Sequence, residues 1–132
     1  MTEFFMSMDP PTITYQEKKV RIVNGKPVFY EPMELKNARQ KLRAYLLRNK
    51  PDQIYDGPLE LVTKWCFPLS GSHRSGEYRS TKPDTDNLQK LLKDCMTSIG
   101  FWKDDALVCR ELVEKFWSDI PGIYIRIMEI GS

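Results

Sequence analysis

From Leu88 to Ile99 the apolar residues Leu88, Leu91, Leu92, Cys95, Met96 and Ile99 fall at i, i+3, i+4, i+7, i+8 and i+11. This is a stripe along one side of a helix, and it runs for three turns without a break. Gly100 follows at the position where a helix ends in left-handed backbone. A helix with one apolar face needs a second layer to cover it. The neighbouring segments supply strands for that layer. Phe4–Met8 reads as a short strand stopped by Asp9-Pro10-Pro11, since proline has no N–H for a ladder. Tyr15–Val23 and Pro27–Tyr30 flank Asn24-Gly25, a dipeptide suited to a two-residue hairpin turn.

Pro32 opens a second helix, with Leu35, Ala38, Leu42, Tyr45 and Leu46 at helical spacing and Pro51 beyond its end. Leu59–Phe67 lies between Pro58 and Pro68 and reads as a buried strand. Residues 70–81 are polar and contain glycine, which predicts a mobile loop. Leu107–Trp117 and Ile123–Ile130 read as two strands of a closing hairpin. The expected order is β, hairpin, α, β, loop, α, β, β. That is an α/β (α+β) fold with a small mixed sheet and two main helices, one domain over residues 1–132.

No apolar run approaches the roughly 20 residues a bilayer span needs, and the first residues show no signal-peptide pattern. A cytoplasmic protein is expected. The three cysteines, Cys66, Cys95 and Cys109, form no C-x-x-C pair and sit among apolar neighbours, so each reads as a buried free thiol. The single histidine, His73, lies in the polar loop and is poorly placed to act as a positioned base. Charge is uneven. Residues 1–50 carry ten Lys/Arg against five Asp/Glu, and residues 94–132 carry four against seven. A basic first half suits contact with phosphates, although a solvated helix face is commonly charged too.

The chemistry concentrates around the striped helix. Asp84 and Asp86 stand two apart where the loop enters it, and side chains at i and i+2 of extended backbone project to one side. Hard divalent cations take oxygen ligands such as these. Lys90, one turn past Asp86, shares its helix face. A second reading is open: Asp86 with Gln89 also fits a capping box, with Lys90 paired to Asp86 or Asp94. That reading leaves Asp84 unexplained. Beyond the helix, Phe101 and Trp102 read as packing residues, and Asp104-Asp105 adds a second acidic turn. An acidic pair at each end of one helix, with a lysine between, is an arrangement a metal-dependent nuclease can use.

Lys82-Pro-Asp84-Thr-Asp86-Asn87-Leu88-Gln89-Lys90, followed by Gly100-Phe101-Trp102-Lys103-Asp104-Asp105 and Val108, resembles the signature of the RusA family of Holliday junction resolvases. The resemblance covers residues 59–130, with Pro10-Pro11 as a further shared feature, and is similar in particular to prophage-borne members from Gram-positive bacteria. It implies that Asp84, Asp86 and Asp105 are metal-binding catalytic carboxylates, that Lys90 is the catalytic lysine, and that Asp104 occupies an acidic family position that is a further metal candidate. It also implies a homodimer that cuts opposed strands of four-way DNA junctions with Mg²⁺, or Mn²⁺ in its place, in recombination and repair. Lys36, Arg39, Lys41, Arg43, Arg74 and Arg79 are candidate DNA-backbone contacts, chosen on charge and placement.

Three other functions share parts of this pattern. A junction-binding protein of the same fold without nuclease activity would lack the carboxylate set, which is complete here. A nucleotide-sugar transferase using Asp-x-Asp would need a nucleotide-binding domain and a glycine-rich phosphate loop. A purely structural phage protein has no use for acidic clusters at both ends of one helix.

Overall fold

A computed structural model describes residues 1–14 and 19–131; for Lys19 only the backbone is described. The elements run β1 (Thr2–Met6), β2 (Lys19–Val23), β3 (Lys26–Tyr30), α1 (Met33–Asn49), β4 (Leu59–Pro68), α2 (Thr85–Ile99), a 3-10 turn (Asp105–Leu107), β5 (Val108–Ser118) and β6 (Gly122–Glu129). This is the expected α/β domain with two helices. Asn24 and Gly25 both take positive φ, 52° and 75°, as a two-residue hairpin turn between β2 and β3 requires. The part of the expected first hairpin strand at residues 15–18 lies outside the described residues. No helix among the described residues is long and apolar enough to cross a membrane.

The main sheet has the order β1-β6-β4-β5. β6 is antiparallel to both β1 and β4, while β5 runs parallel to β4. The sheet is mixed as expected, but its last two strands are not a hairpin. β4 lies between them. Its alternate residues Leu59, Leu61, Thr63, Trp65 and Phe67 are fully buried, and Val62 on the opposite face is nearly so. β4 is paired along both edges, with β5 on one side and β6 on the other, which makes it an interior strand of the sheet. Residues 119–121 carry the chain across the end of β4 from β5 to β6. That gap is two strand spacings, about 9.5 Å, which three extended residues can span. β6 begins at Gly122, where a Cβ would meet the Phe5 ring and lie 2.6 Å from the Met6 carbonyl oxygen. A side chain there would push β1 off its register.

One core joins the sheet to both helices. Leu35, Leu42 and Leu46 of α1 and Leu88, Leu91, Leu92, Cys95 and Met96 of α2 pack with Trp65, Phe67, Ile123, Ile125 and Ile127. Gly100 ends α2 at φ 92°, donating its N–H to the Met96 and Thr97 carbonyls. Two loop and thiol expectations need correction. Residues 76–79 are held along the outer edge of β5. The N–H of Gly76 donates to the Trp117 carbonyl at 2.8 Å, that of Trp117 to the Glu77 carbonyl at 2.8 Å, and that of Arg79 to the Lys115 carbonyl at 3.0 Å. His73 stacks on Trp117 with centroids 4.3 Å apart, and the Arg79 guanidinium lies over Phe67 and Trp117. The segment expected to be a free loop therefore covers a strand edge. Of the thiols, Cys95 is buried and Cys66 half-buried, but Cys109 is exposed near the start of the outermost strand. Burial pushes the Cys95 thiol up to about 11.

Candidate active site

The N-terminal half of α2, the 3-10 turn and the start of β5 enclose a cleft of about 260 Å³ lined by Asp86, Gln89, Lys90, Lys93, Asp105 and Glu111. Residues 86, 89, 90 and 93 form one side of a helix, flanking the apolar stripe, with the buried Gln89 at the border between them. Glu111 reaches the cleft because β5 registers Glu111 beside Leu61, on the sheet face that the helices cover. It pairs with Lys93 across the cleft.

Asp105 is delivered by a firmly held turn. Trp102 is buried and donates its indole N–H to Thr97 Oγ1 at 2.7 Å. Tyr55 brackets the same turn, its N–H donating to the Phe101 carbonyl and its carbonyl accepting from Lys103 N–H. Asp104 then caps the 3-10 turn, accepting from the Ala106 N–H at 2.9 Å. Of the two adjacent aspartates, one shapes the backbone and its neighbour lines the cleft.

At the start of α2, Asp84 is the N-cap residue and makes no side-chain cap bond. Asp84 has extended backbone but Asp86 already lies inside the helix, so the two are not consecutive same-side residues of one strand as expected. The capping-box alternative fails as well. Gln89 is buried, and its Oε1 accepts from Thr63 Oγ1 at 3.0 Å; it does not reach back to the Asp86 N–H. Asp86 Oδ1 accepts from the Asn87 N–H at 3.0 Å. Asp84 is not among the residues lining the cleft. Its carboxylate pairs with Lys82 at 3.2 Å. Lys115, on β5, anchors the approach to the helix by donating to the carbonyls of Thr81 and Pro83 at 2.8 and 2.7 Å. Burial pulls the Lys115 ammonium below the ordinary lysine range, with Arg79 adding to the effect and Asp84 opposing it.

As a donor set for a hard cation, Asp86 and Asp105 fit. They offer oxygen ligands in one cleft at the positive end of a helix, and Mg²⁺ commonly takes one or two carboxylates, with water and phosphate completing its shell. Among the described residues, no three acidic, histidine or cysteine side chains stand close enough together to hold an ion jointly. Gln89, Lys93, Glu111 and Lys115 were not singled out from sequence as site residues. Gln89 and Lys93 stand at helical spacing from Asp86 and were within reach of that argument, whereas Glu111 and Lys115 depend on the pairing of β5 with β4.

The proposed DNA contacts are scattered. Lys36 and Lys41 are exposed on α1 and Arg74 on the 70–81 segment. Arg39 pairs with Glu31, and Arg43 bonds to Ser98 on α2. Arg79 is half-buried between its two aromatic partners and donates to Thr81 Oγ1.

The family model for endodeoxyribonuclease RusA matches residues 10–128. The chain belongs to the RusA family. It is similar to the crossover junction endodeoxyribonuclease rusA of Lactococcus phage r1t, 30% identical over 97% of this chain and 98% of that protein. It is also similar to the uncharacterized protein YqaN of Bacillus subtilis strain 168, 28% identical over 84% of this chain and 85% of that one. Membership in the RusA family makes the chain an endodeoxyribonuclease, a phosphodiester hydrolase. Family membership weighs against a non-cleaving junction binder.

Proposed function

We propose that the chain is a divalent-metal-dependent nuclease that cuts opposed strands of four-way or otherwise branched DNA, in recombination and repair in the cytoplasm. The observation that carries this reading is the meeting of Asp86, Lys90 and Asp105 in one cleft of a chain similar over nearly its full length to a phage crossover junction nuclease. Asp86 and Asp105 hold the cation, Mg²⁺ or Mn²⁺. Asp84 joins them by leaving Lys82; both partners of that pair are substantially exposed, and such ion pairs contribute little. When bound, the cation supplies an activated water and shields charge on the phosphate. Lys90 stabilises charge developing on the phosphate or the leaving oxygen. Asp104, through its cap on the turn, keeps Asp105 in the cleft. A C2 homodimer supplies the two sites that two opposed cuts need.

Cleavage should require Mg²⁺ or Mn²⁺, because an all-oxygen donor set suits hard ions. DNA cutting that continues undiminished in excess EDTA would remove the metal from this account. Binding should depend steeply on salt. For Lys41→Ala, the slope of log affinity against log salt should shrink by about one unit if Lys41 contacts a phosphate. An unchanged slope takes Lys41 off the DNA face.

A further inference from the structure

A buried hydrogen-bond chain ends in the cleft. The Trp65 indole nitrogen is only a donor, and it donates to Thr63 Oγ1 at 3.0 Å. The Thr63 hydroxyl hydrogen is then directed to Gln89 Oε1, also at 3.0 Å. Trp65 and Thr63 are wholly buried, and Gln89 is 2% exposed. Because indole cannot accept, Thr63 Oγ1 is the acceptor in the first bond, and its own hydrogen is left for Gln89. In this arrangement the Gln89 amide presents its oxygen to Thr63 and turns its nitrogen away. That nitrogen, Nε2, is buried and has no hydrogen-bond partner among the described residues. A buried N–H left unpaired is destabilising, and native proteins seldom keep one without a use.

Gln89 lines the cleft three residues after Asp86. Helical side chains lean toward the N-terminus, so residue i+3 leans back toward residue i. One oxygen of Asp86 is engaged by the Asn87 N–H. We propose that Gln89 is a positioning residue for the cleft carboxylates: Nε2 donates to Asp86 when that side chain turns inward to a cation. The amide then fixes which Asp86 oxygen faces the metal. Carboxylates that bind metals are commonly held by outer hydrogen bonds of this kind. The inference rests on the reading of the cleft as a divalent-cation site.

The test is a calorimetric Mn²⁺ titration of the full chain without DNA, alongside thermal melting without metal. Three proteins are compared: wild type, Gln89→Met and Thr63→Val. Gln89→Met keeps the length of the side chain and removes its polar ends. It should weaken Mn²⁺ binding roughly 10- to 100-fold, the usual cost of losing such a partner, without lowering the melting temperature to match. Thr63→Val releases the amide to turn and should weaken binding in the same direction by less. Wild-type affinity in Gln89→Met overturns the proposal, and a lowered melting temperature with intact affinity does so too by assigning Gln89 to packing. If Gln89→Met does not fold, unchanged Mn²⁺ affinity in Thr63→Val overturns it. A wild type that takes no Mn²⁺ removes the metal reading and this inference together, whereas equal binding by all three proteins overturns the inference alone.

Discussion

Asp86→Asn and Asp105→Asn are each expected to slow DNA cleavage by at least about 100-fold, the upper end of what even an outer-shell partner costs a metal site. Each change removes one charge and almost no volume. Asp86 lies in the first turn of α2, where its interaction with the helix dipole is worth about 0.3–1 kcal/mol, so folding should barely change. Asp105 follows the capping residue Asp104, and its loss leaves that cap in place. Junction binding without metal should hold or tighten, because one fewer carboxylate repels the phosphates. Asp84→Asn should also impair cutting, since the account draws Asp84 toward the cation. Lys90→Ala should impair cutting and also weaken binding slightly. Were these residues only caps and ion pairs, the signs would reverse, with a lower melting temperature and normal cleavage per folded molecule. Single-turnover cutting, junction affinity and melting on the four variants separate the two outcomes.

Leu92→Ala should behave in the opposite way. Leu92 is fully buried between α2 and the sheet. Truncating such a leucine costs about 2–5 kcal/mol, a large share of the roughly 5–15 kcal/mol that holds a domain of this size together. Denaturant unfolding should show that loss. Well below its melting temperature, the variant should still cut DNA normally per folded molecule, because Leu92 does not line the cleft. A folded Leu92→Ala protein with a large catalytic defect would mean that the apolar stripe and the cleft are not separate faces.

What could be read in the sequence was local. The stripe from Leu88 to Ile99, the Gly100 stop and the Asn24-Gly25 turn follow from periodicity and backbone preference, and the structure has all three. Strand partners were another matter. β5 and β6 are adjacent in sequence, and a short polar link is the usual mark of a hairpin. Only the pairing of β4 along both edges shows how that strand separates them, and the buried Val62 on its outer face was a faint signal. That mistake carried into the site. Glu111 and Lys115 face α2 only because β5 runs parallel to β4, so neither was visible beforehand. The 70–81 segment was read as free because its composition is polar. Its backbone nonetheless serves the edge of β5, and His73, Tyr78 and Arg79 pack against aromatic residues there or beside it. Asp86, Lys90 and Asp105 stand out in the sequence because two of them share one helix face and the third follows the glycine that ends the helix, and the structure brings all three to one cleft. Gln89 was noticed for the wrong reason: it fits the capping pattern, but tertiary burial against Thr63 takes its side chain elsewhere.

The most direct test of the central claim is single-turnover cleavage of an end-labelled synthetic four-way junction, run beside a linear duplex of the same sequence in Mg²⁺. The wild-type protein should make paired cuts in opposed strands of the junction and cut the linear duplex little, and folded Asp105→Asn should make no cuts. Equal cutting of the linear duplex would contradict the proposed substrate, and full junction cleavage by Asp105→Asn would contradict the site.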